Sequence, residues 1–204
     1  MLGILPIRQL LYASGGRGPS WEEVVRLLNS LNGLEPLSLR DRAIAMLFAV
    51  YGLRCSELAG LFVTDIDFES EVMTVRRVKR EGTQRFPLRS DVGTALRNYI
   101  AVGRPKCRLP NVFVTHVTPY RRLTSGSLYN RVQRMFNRME IISANRGPHS
   151  LRHACANRLL QQGASLPEIS AFLGHRRLQS VRHYIDYSVD DLRRVATLNV
   201  GDLV

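Results

Sequence analysis

The stretch HSLRHACANRLLQQGASLPEISAFLGHRRLQSVRHYIDY, residues 149–187, organises the chain. It holds four of the five histidines, several arginines and three short helical patterns, and it ends in an aromatic run with Tyr184 and Tyr187. His149 and Arg152 stand three apart, so a helix puts them on one face. His175 follows Gly174, which the pattern makes the stop of the preceding helix. Tyr184 comes nine residues after His175. A tyrosine attacking a phosphodiester requires this inventory: a nucleophile, cations and donors around the developing charge, and a proton acceptor.

Working outward, 204 residues suffice for one good-sized core or two small ones, and 45% apolar content fits a globular protein. No apolar run reaches membrane-spanning length, so a membrane partner is not expected. The opening MLGILPIRQLLYASGG has an apolar run, but Pro6 and Arg8 interrupt it and it lacks the basic start of an export signal. Cys55, Cys107 and Cys155 are odd in number and lack metal-ligand spacing. A reduced, cytoplasmic protein is the simplest reading.

The net charge is +12, unevenly spread. Residues 1–100 carry 13 basic and 11 acidic side chains, and residues 101–204 carry 16 and 6. A basic half of that kind suits a polyanion, nucleic acid first, although a soluble basic protein would look alike. Only Lys79 and Lys106 among the 29 basic residues are lysines. A lysine can release its proton where an arginine cannot, which sets these two apart.

Residues 1–19 read as a flexible lead-in or linker remnant, ending in Ser14-Gly15-Gly16-Arg17-Gly18-Pro19. Ser20 with Glu23 forms a capping box for a helix to about Asn32. Ser38 with Asp41 starts a second helix, apolar on most sides and so buried, which Gly52 ends. Arg54 opens a short helix. Either it sits at the surface, paired with Glu57, or Glu57 holds it rigidly toward a phosphate. From Phe62 to Leu88 the pattern turns to strands: Val63–Asp67, Glu71–Val78, and Gln84–Leu88 closing a hairpin across Lys79–Thr83. Lys79 lies at the tip or the adjoining strand end.

Another helix runs from Ser90 to about Val102, and Val112–Val114 is a brief apolar run. Thr124 caps a helix reaching about Ile141, with Arg131, Arg134 and Arg138 as a stripe that is either solvated or laid along phosphates. Gly147-Pro148 opens the helix of His149 and Arg152, and Gly163 ends it. Ser165 with Glu168 makes a further capping box before Gly174. A Tyr184 helix and an amphipathic tail from Ser188 complete the chain.

GLRCSEL, VKREGTQRFPL, HSLRH and LGHRRLQSVRHY occur in this order, with nine residues from His175 to Tyr184 and eight from Lys79 to Pro87. This resembles the catalytic domain of the tyrosine recombinases, the phage-integrase family, over about residues 20 to 190. The resemblance implies an α+β fold, mainly helical with a small antiparallel β-sheet. It implies a catalytic domain at 20–187 and a C-terminal tail at 188–204 that packs on a neighbouring subunit or on its own domain. It implies duplex DNA as partner and a homo-oligomer: a tetramer on DNA, with the monomer as the free state.

By the same resemblance, Arg54 and Arg152 clamp the scissile phosphate and His175 donates to one of its oxygens. His149 takes or relays the nucleophile's proton, and Lys79 protonates the departing 5′ oxygen. Tyr184 attacks phosphorus to give a 3′-phosphotyrosyl link. No metal ion and no cofactor are implied. Arg80 stands beside Lys79, so that assignment rests on the count to Pro87, and Tyr187 competes with Tyr184. His153 and His183 read as capping or structural. The family's N-terminal DNA-clamping domain has no counterpart in this sequence, as in an excised piece or a short recombinase of the fimbrial-inverter type. A recombinase-like module that binds DNA without cutting it is the alternative, and it would be expected to lack one of the six groups.

Overall fold

The computed structural model describes residues 18–77, 82–141 and 146–174. Lys79, His175, His183, Tyr184, Tyr187, the lead-in through Arg17 and the tail at 188–204 lie outside them. Helix α1 (Trp21–Ser30) starts on the Ser20–Glu23 capping box. Helix α2 (Pro36–Tyr51) is the centre of the domain. Ile44, Leu47 and Phe48 are fully buried, and Leu39, Met46 and Tyr51 nearly so. A helix buried on nearly every side needs neighbours all round. It packs against α1, α4 (Ser90–Asn98), α5 (Ser125–Arg138) and α6 (Pro148–Gln161).

Helix α2 begins before Ser38. Pro36 occupies its first position, where a missing N–H costs nothing and the fixed φ already suits a helix. The run from Val63 is likewise not a strand throughout. Val63–Asp65 is a 3₁₀ turn whose Asp65 carboxylate accepts from the Phe62 N–H at 2.8 Å, and strand β1 (Ile66–Asp67) follows it. The helix from Ser90 ends in a π-helical turn, Tyr99–Gly103.

Strands β2 (Val72–Arg76) and β3 (Thr83–Pro87) join β1 in an antiparallel sheet of order β1-β2-β3. Met73 pairs with Ile66 on one side and with Phe86 on the other. Met73, Val75 and Phe86 are buried, so this face of the sheet covers the core. The alternation continues past the strand. Arg76 points outward to Asp65 with two 2.6 Å bonds, and Arg77 is buried like Met73 and Val75.

Helix α7 (Leu166–Leu173) is set by the Ser165–Glu168 capping box. Its Phe172 ring lies 5.3 Å from Phe86 and 6.5 Å from Tyr51, which is itself 5.4 Å from Phe86. The trio ties the ends of α2, β3 and α7 together, each pair adding about 0.5–1.5 kcal/mol beyond its buried area. The Tyr51 hydroxyl donates to the Pro87 carbonyl at 2.9 Å and accepts from the Arg89 N–H at 3.0 Å.

Gly52 stops α2 at φ +57°, and a Cβ there would lie 2.5 Å from Leu173 Cδ2 and 3.5 Å from Arg152 Cγ. Gly52→Ala should therefore combine left-handed strain with a clash against α7, costing about 2 kcal/mol or more. Urea unfolding checks this: the midpoint should fall with the slope unchanged. A midpoint equal to that of the parent would show that the α2–α7 contact is not tight.

Candidate active site

The turn after Gly52 enters helix α3 (Cys55–Ala59) with Arg54 at its N-cap. Glu57, one turn on, reaches back. Its Oε2 accepts from the Arg54 N–H at 2.8 Å and its Oε1 from Arg54 Nη1 at 2.8 Å. The sequence pairing of Arg54 with Glu57 is thus present. The Glu57 side chain is 1% exposed, and the Arg54 side chain is 26% exposed. Glu57 also holds a second guanidinium, accepting from Arg77 Nη1 at 2.8 Å on Oε2. Burial alone would raise the Glu57 pKa. The bond from the Arg54 main chain and the Arg77 charge outweigh it and hold the carboxyl below its usual range.

Helix α6 starts with Pro148 at its first position, which places His149 and Arg152 within its first turns. Arg152 is buried. It donates through Nη1 to the Gly52 carbonyl and through Nη2 to the Leu173 carbonyl at 2.7 Å. Arg54 Nη2 donates to the Gly174 carbonyl at 3.0 Å, and Arg77 Nη2 to the Phe172 carbonyl at 2.8 Å. Three consecutive carbonyls at the end of α7 therefore each accept from a different arginine. They belong to the last turn of a helix, where carbonyls lack intrahelical partners and the dipole is negative.

His149 stands open to solvent on one edge, its ring 5.9 Å from that of buried His153. Partial loss of water and the charges of Arg152 and Arg54 lower its pKa, so the imidazole is neutral at neutral pH and able to accept a proton. Cys155 packs beneath, its thiol pushed up to about 12 chiefly by burial, which keeps it un-ionised and inert.

Of the six residues singled out from sequence, the structure brings Arg54, His149 and Arg152 to one place. Lys79, His175 and Tyr184 fall outside the described residues. Lys79 follows Arg77 by two positions, and His175 follows directly on Gly174, whose carbonyl Arg54 holds. Arg77 was not singled out from sequence. Its strand parity with Met73 and Val75 was the available signal. Arg131, in the basic stripe of α5, turns inward instead, its Nε 3.4 Å from Oδ1 of buried Asp41. Among the described residues no group of three or more His, Cys, Asp or Glu side chains is placed to hold a metal ion. No described helix is long and apolar enough to cross a membrane.

A family model described as the phage integrase family matches residues 20–190. The chain belongs to this family, the tyrosine recombinases. It is 36% identical over 171 residues to y4gC of Sinorhizobium fredii, described as an integrase/recombinase, covering 83% of this chain and 88% of that protein. It is 32% identical over 178 residues to tyrosine recombinase XerD of Yersinia pestis, covering 85% of this chain and 58% of that one. Of a second Sinorhizobium fredii relative, y4rA, it spans 42% at 36% identity. The fold is similar to XerA recombinase, with a TM-score of 0.75 at 23% identity over 88% of this chain and 64% of that one. It is also similar to XerH recombinase in a post-cleavage complex with its difH substrate, with a TM-score of 0.77 at 21% identity over 90% and 53%. The mainly helical tyrosine recombinase fold with a small antiparallel sheet is thus the one observed.

Replacing Glu57 by Gln removes the charge between two guanidiniums, one of them buried. The expected loss is about 3 kcal/mol of stability at neutral pH. Because the folded-state pKa is depressed, the carboxylate's contribution is complete above the ordinary Glu value of about 4.3 and is lost as pH falls through the folded value. Thermal unfolding should show the gap between the Gln variant and its parent closing only in acid below that value. A gap constant down to strong acid would mean the ion pairs contribute nothing.

Proposed function

We propose that this recombinase is site-specific: it cleaves and rejoins DNA strands through a 3′-phosphotyrosyl intermediate on Tyr184. The observation that supports the reading best is the meeting of Arg54, Arg152 and His149 at the end of α7, immediately before His175 in the chain. Arg54 has an outward edge and a carboxylate behind it, as a group aimed at a phosphate needs.

The tyrosine oxygen attacks phosphorus and the P–O5′ bond breaks. A phenol with a pKa of about 10 is a poor nucleophile at neutral pH unless a base or a positive field assists it. Neutral His149 takes or relays its proton. Arg54, Arg152 and His175 stabilise the extra charge on the five-coordinate phosphorus. Lys79 protonates the departing O5′. The phosphotyrosyl link keeps the bond energy, so the 5′ hydroxyl of a second strand reverses the attack and frees Tyr184 without ATP.

Duplex DNA is the partner, a reading supported by the likeness to XerH recombinase, solved bound to its palindromic difH substrate. The catalytic unit spans residues 20–187, works as a tetramer on DNA and acts in the cytoplasm.

The test is a reaction of the whole chain with a pool of nicked duplexes of random central sequence. A covalent adduct should survive denaturation, vanish in Tyr184→Phe and persist in Tyr187→Phe, and sequencing the captured strands would give the target. An adduct that persists in Tyr184→Phe moves the nucleophile elsewhere. No adduct with the parent protein, despite binding, makes the chain a DNA-binding module. Lys79→Ala should slow cleavage by about 100-fold or more on the selected site. The rate should return when sulfur replaces the bridging 5′ oxygen, because a thiolate leaves without a proton. Loss that sulfur leaves uncorrected would remove Lys79 from the acid role.

A further inference from the structure

Arg77 has no part in the chemistry above, yet its side chain donates from all three guanidinium nitrogens beside the site. Its side chain is 3% exposed. Nη1 donates to Glu57 Oε2 at 2.8 Å, Nε to Gln84 Oε1 at 2.9 Å and Nη2 to the Phe172 carbonyl at 2.8 Å. Its main-chain N–H donates to the Gly82 carbonyl at 2.9 Å. Gly174, at φ +67°, lies so close that a Cβ there would be 2.9 Å from Arg77 Cζ.

The division of Glu57 matters most. Arg77 takes Oε2, which Arg54 otherwise reaches only through its main-chain N–H. The Arg54 guanidinium is left with a single bond to this carboxylate, from Nη1 to Oε1, while its Nη2 donates to the Gly174 carbonyl. A lone carboxylate beside an arginine tends toward the two-pronged arrangement, in which both oxygens face one guanidinium. With Arg77 absent, Glu57 is free to turn and engage Arg54 that way, drawing its outward edge back. We propose that Arg77 is a positioning residue for strand cleavage: by holding one oxygen of Glu57 it keeps the Arg54 guanidinium presented to the scissile phosphate. This rests on the recombinase reading above.

Arg77 is buried and offers no surface to DNA. Its replacement should lower the single-turnover cleavage rate at saturating DNA while leaving DNA affinity and its salt dependence unchanged, since no phosphate contact is lost. With the adduct-forming duplex as probe, Arg77→Met should cleave about 100-fold slower, the scale of a misplaced catalytic group. Arg77→Lys, which still pairs with Glu57, should recover to within about tenfold of the parent. In an Arg54→Ala background Arg77→Met should change the rate by less than about threefold, because the two act as one unit.

If Arg77→Met does not fold, Arg77→Gln, which retains a donor without the charge, takes its place in both backgrounds. Cleavage at the parent rate by a folded Arg77→Met or Arg77→Gln overturns the proposal. So does a loss that multiplies fully with Arg54→Ala, or one confined to DNA affinity. A parent protein that forms no adduct on any duplex sinks the recombinase reading itself and takes this proposal with it. A normal parent beside an unaffected Arg77 variant sinks the positioning role alone.

Discussion

The last carbonyls of α7 hold the site together. Phe172, Leu173 and Gly174 accept from Arg77, Arg152 and Arg54, and these arginines arrive from the β2–β3 hairpin, from α6 and from the start of α3. A helix end offers carbonyls with no partner of their own, and buried guanidiniums need acceptors. Each need satisfies the other. The arrangement also explains two glycines. Gly52 lets α2 stop where Leu173 and Arg152 press against it, and Gly174 lets α7 stop against the face of Arg77. A side chain at either position would push the helix end away from the groups that fix it.

The same device recurs away from the site. Arg104 donates to the carbonyls of Leu109 and Asn111 and so closes the loop after the π-helical turn. Arg42 reaches the Leu28 carbonyl and Arg40 the Val114 carbonyl. A chain with 29 basic residues of which 27 are arginines therefore uses part of its positive charge as internal stapling. A planar guanidinium with five donors and no accessible neutral form suits this work, whereas a buried lysine would be pressed to give up its proton. The net charge taken by itself overstates how much of the basic content is available to nucleic acid, and Arg131 on Asp41 is one instance.

How much was legible follows from which signals are local. The capping boxes at Ser20 and Ser165 and the stops at Gly52 and Gly174 depend on a few adjacent residues, and they appear as read. The Arg54–Glu57 pair is also local, three residues apart on one helix turn. The start of α2 is not legible in the same way, because Ser38 and Asp41 imitate a cap inside a helix that Pro36 has already begun. The stretch from Val63 has strand-like residues but turns on the Asp65 side chain. Arg77 escaped for a different reason. Two adjacent arginines look alike in sequence, and strand parity sends Arg76 to the surface and Arg77 inside. Its partners, Glu57 and Phe172, lie 20 and 95 residues away, beyond the reach of any local pattern.

What holds the arginines also decides what they can do. A carboxylate fixes a guanidinium by neutralising it, and a site built that way would present little field to a phosphate. A carbonyl fixes it as a dipole and leaves the charge in place. Arg54 and Arg77 share one carboxylate, Glu57, whereas Arg54, Arg77 and Arg152 each donate to a main-chain carbonyl at the end of α7, and Arg77 donates to Gln84 as well. These four side chains together carry three positive charges and one negative, in surroundings where water is scarce and a charge is felt more strongly than in bulk solvent. Geometry is thus supplied mainly by the backbone, and the positive potential is kept for the substrate. That separation lets a cluster of arginines be rigid and strongly cationic at once, which is what the expanding charge on an attacked phosphate requires.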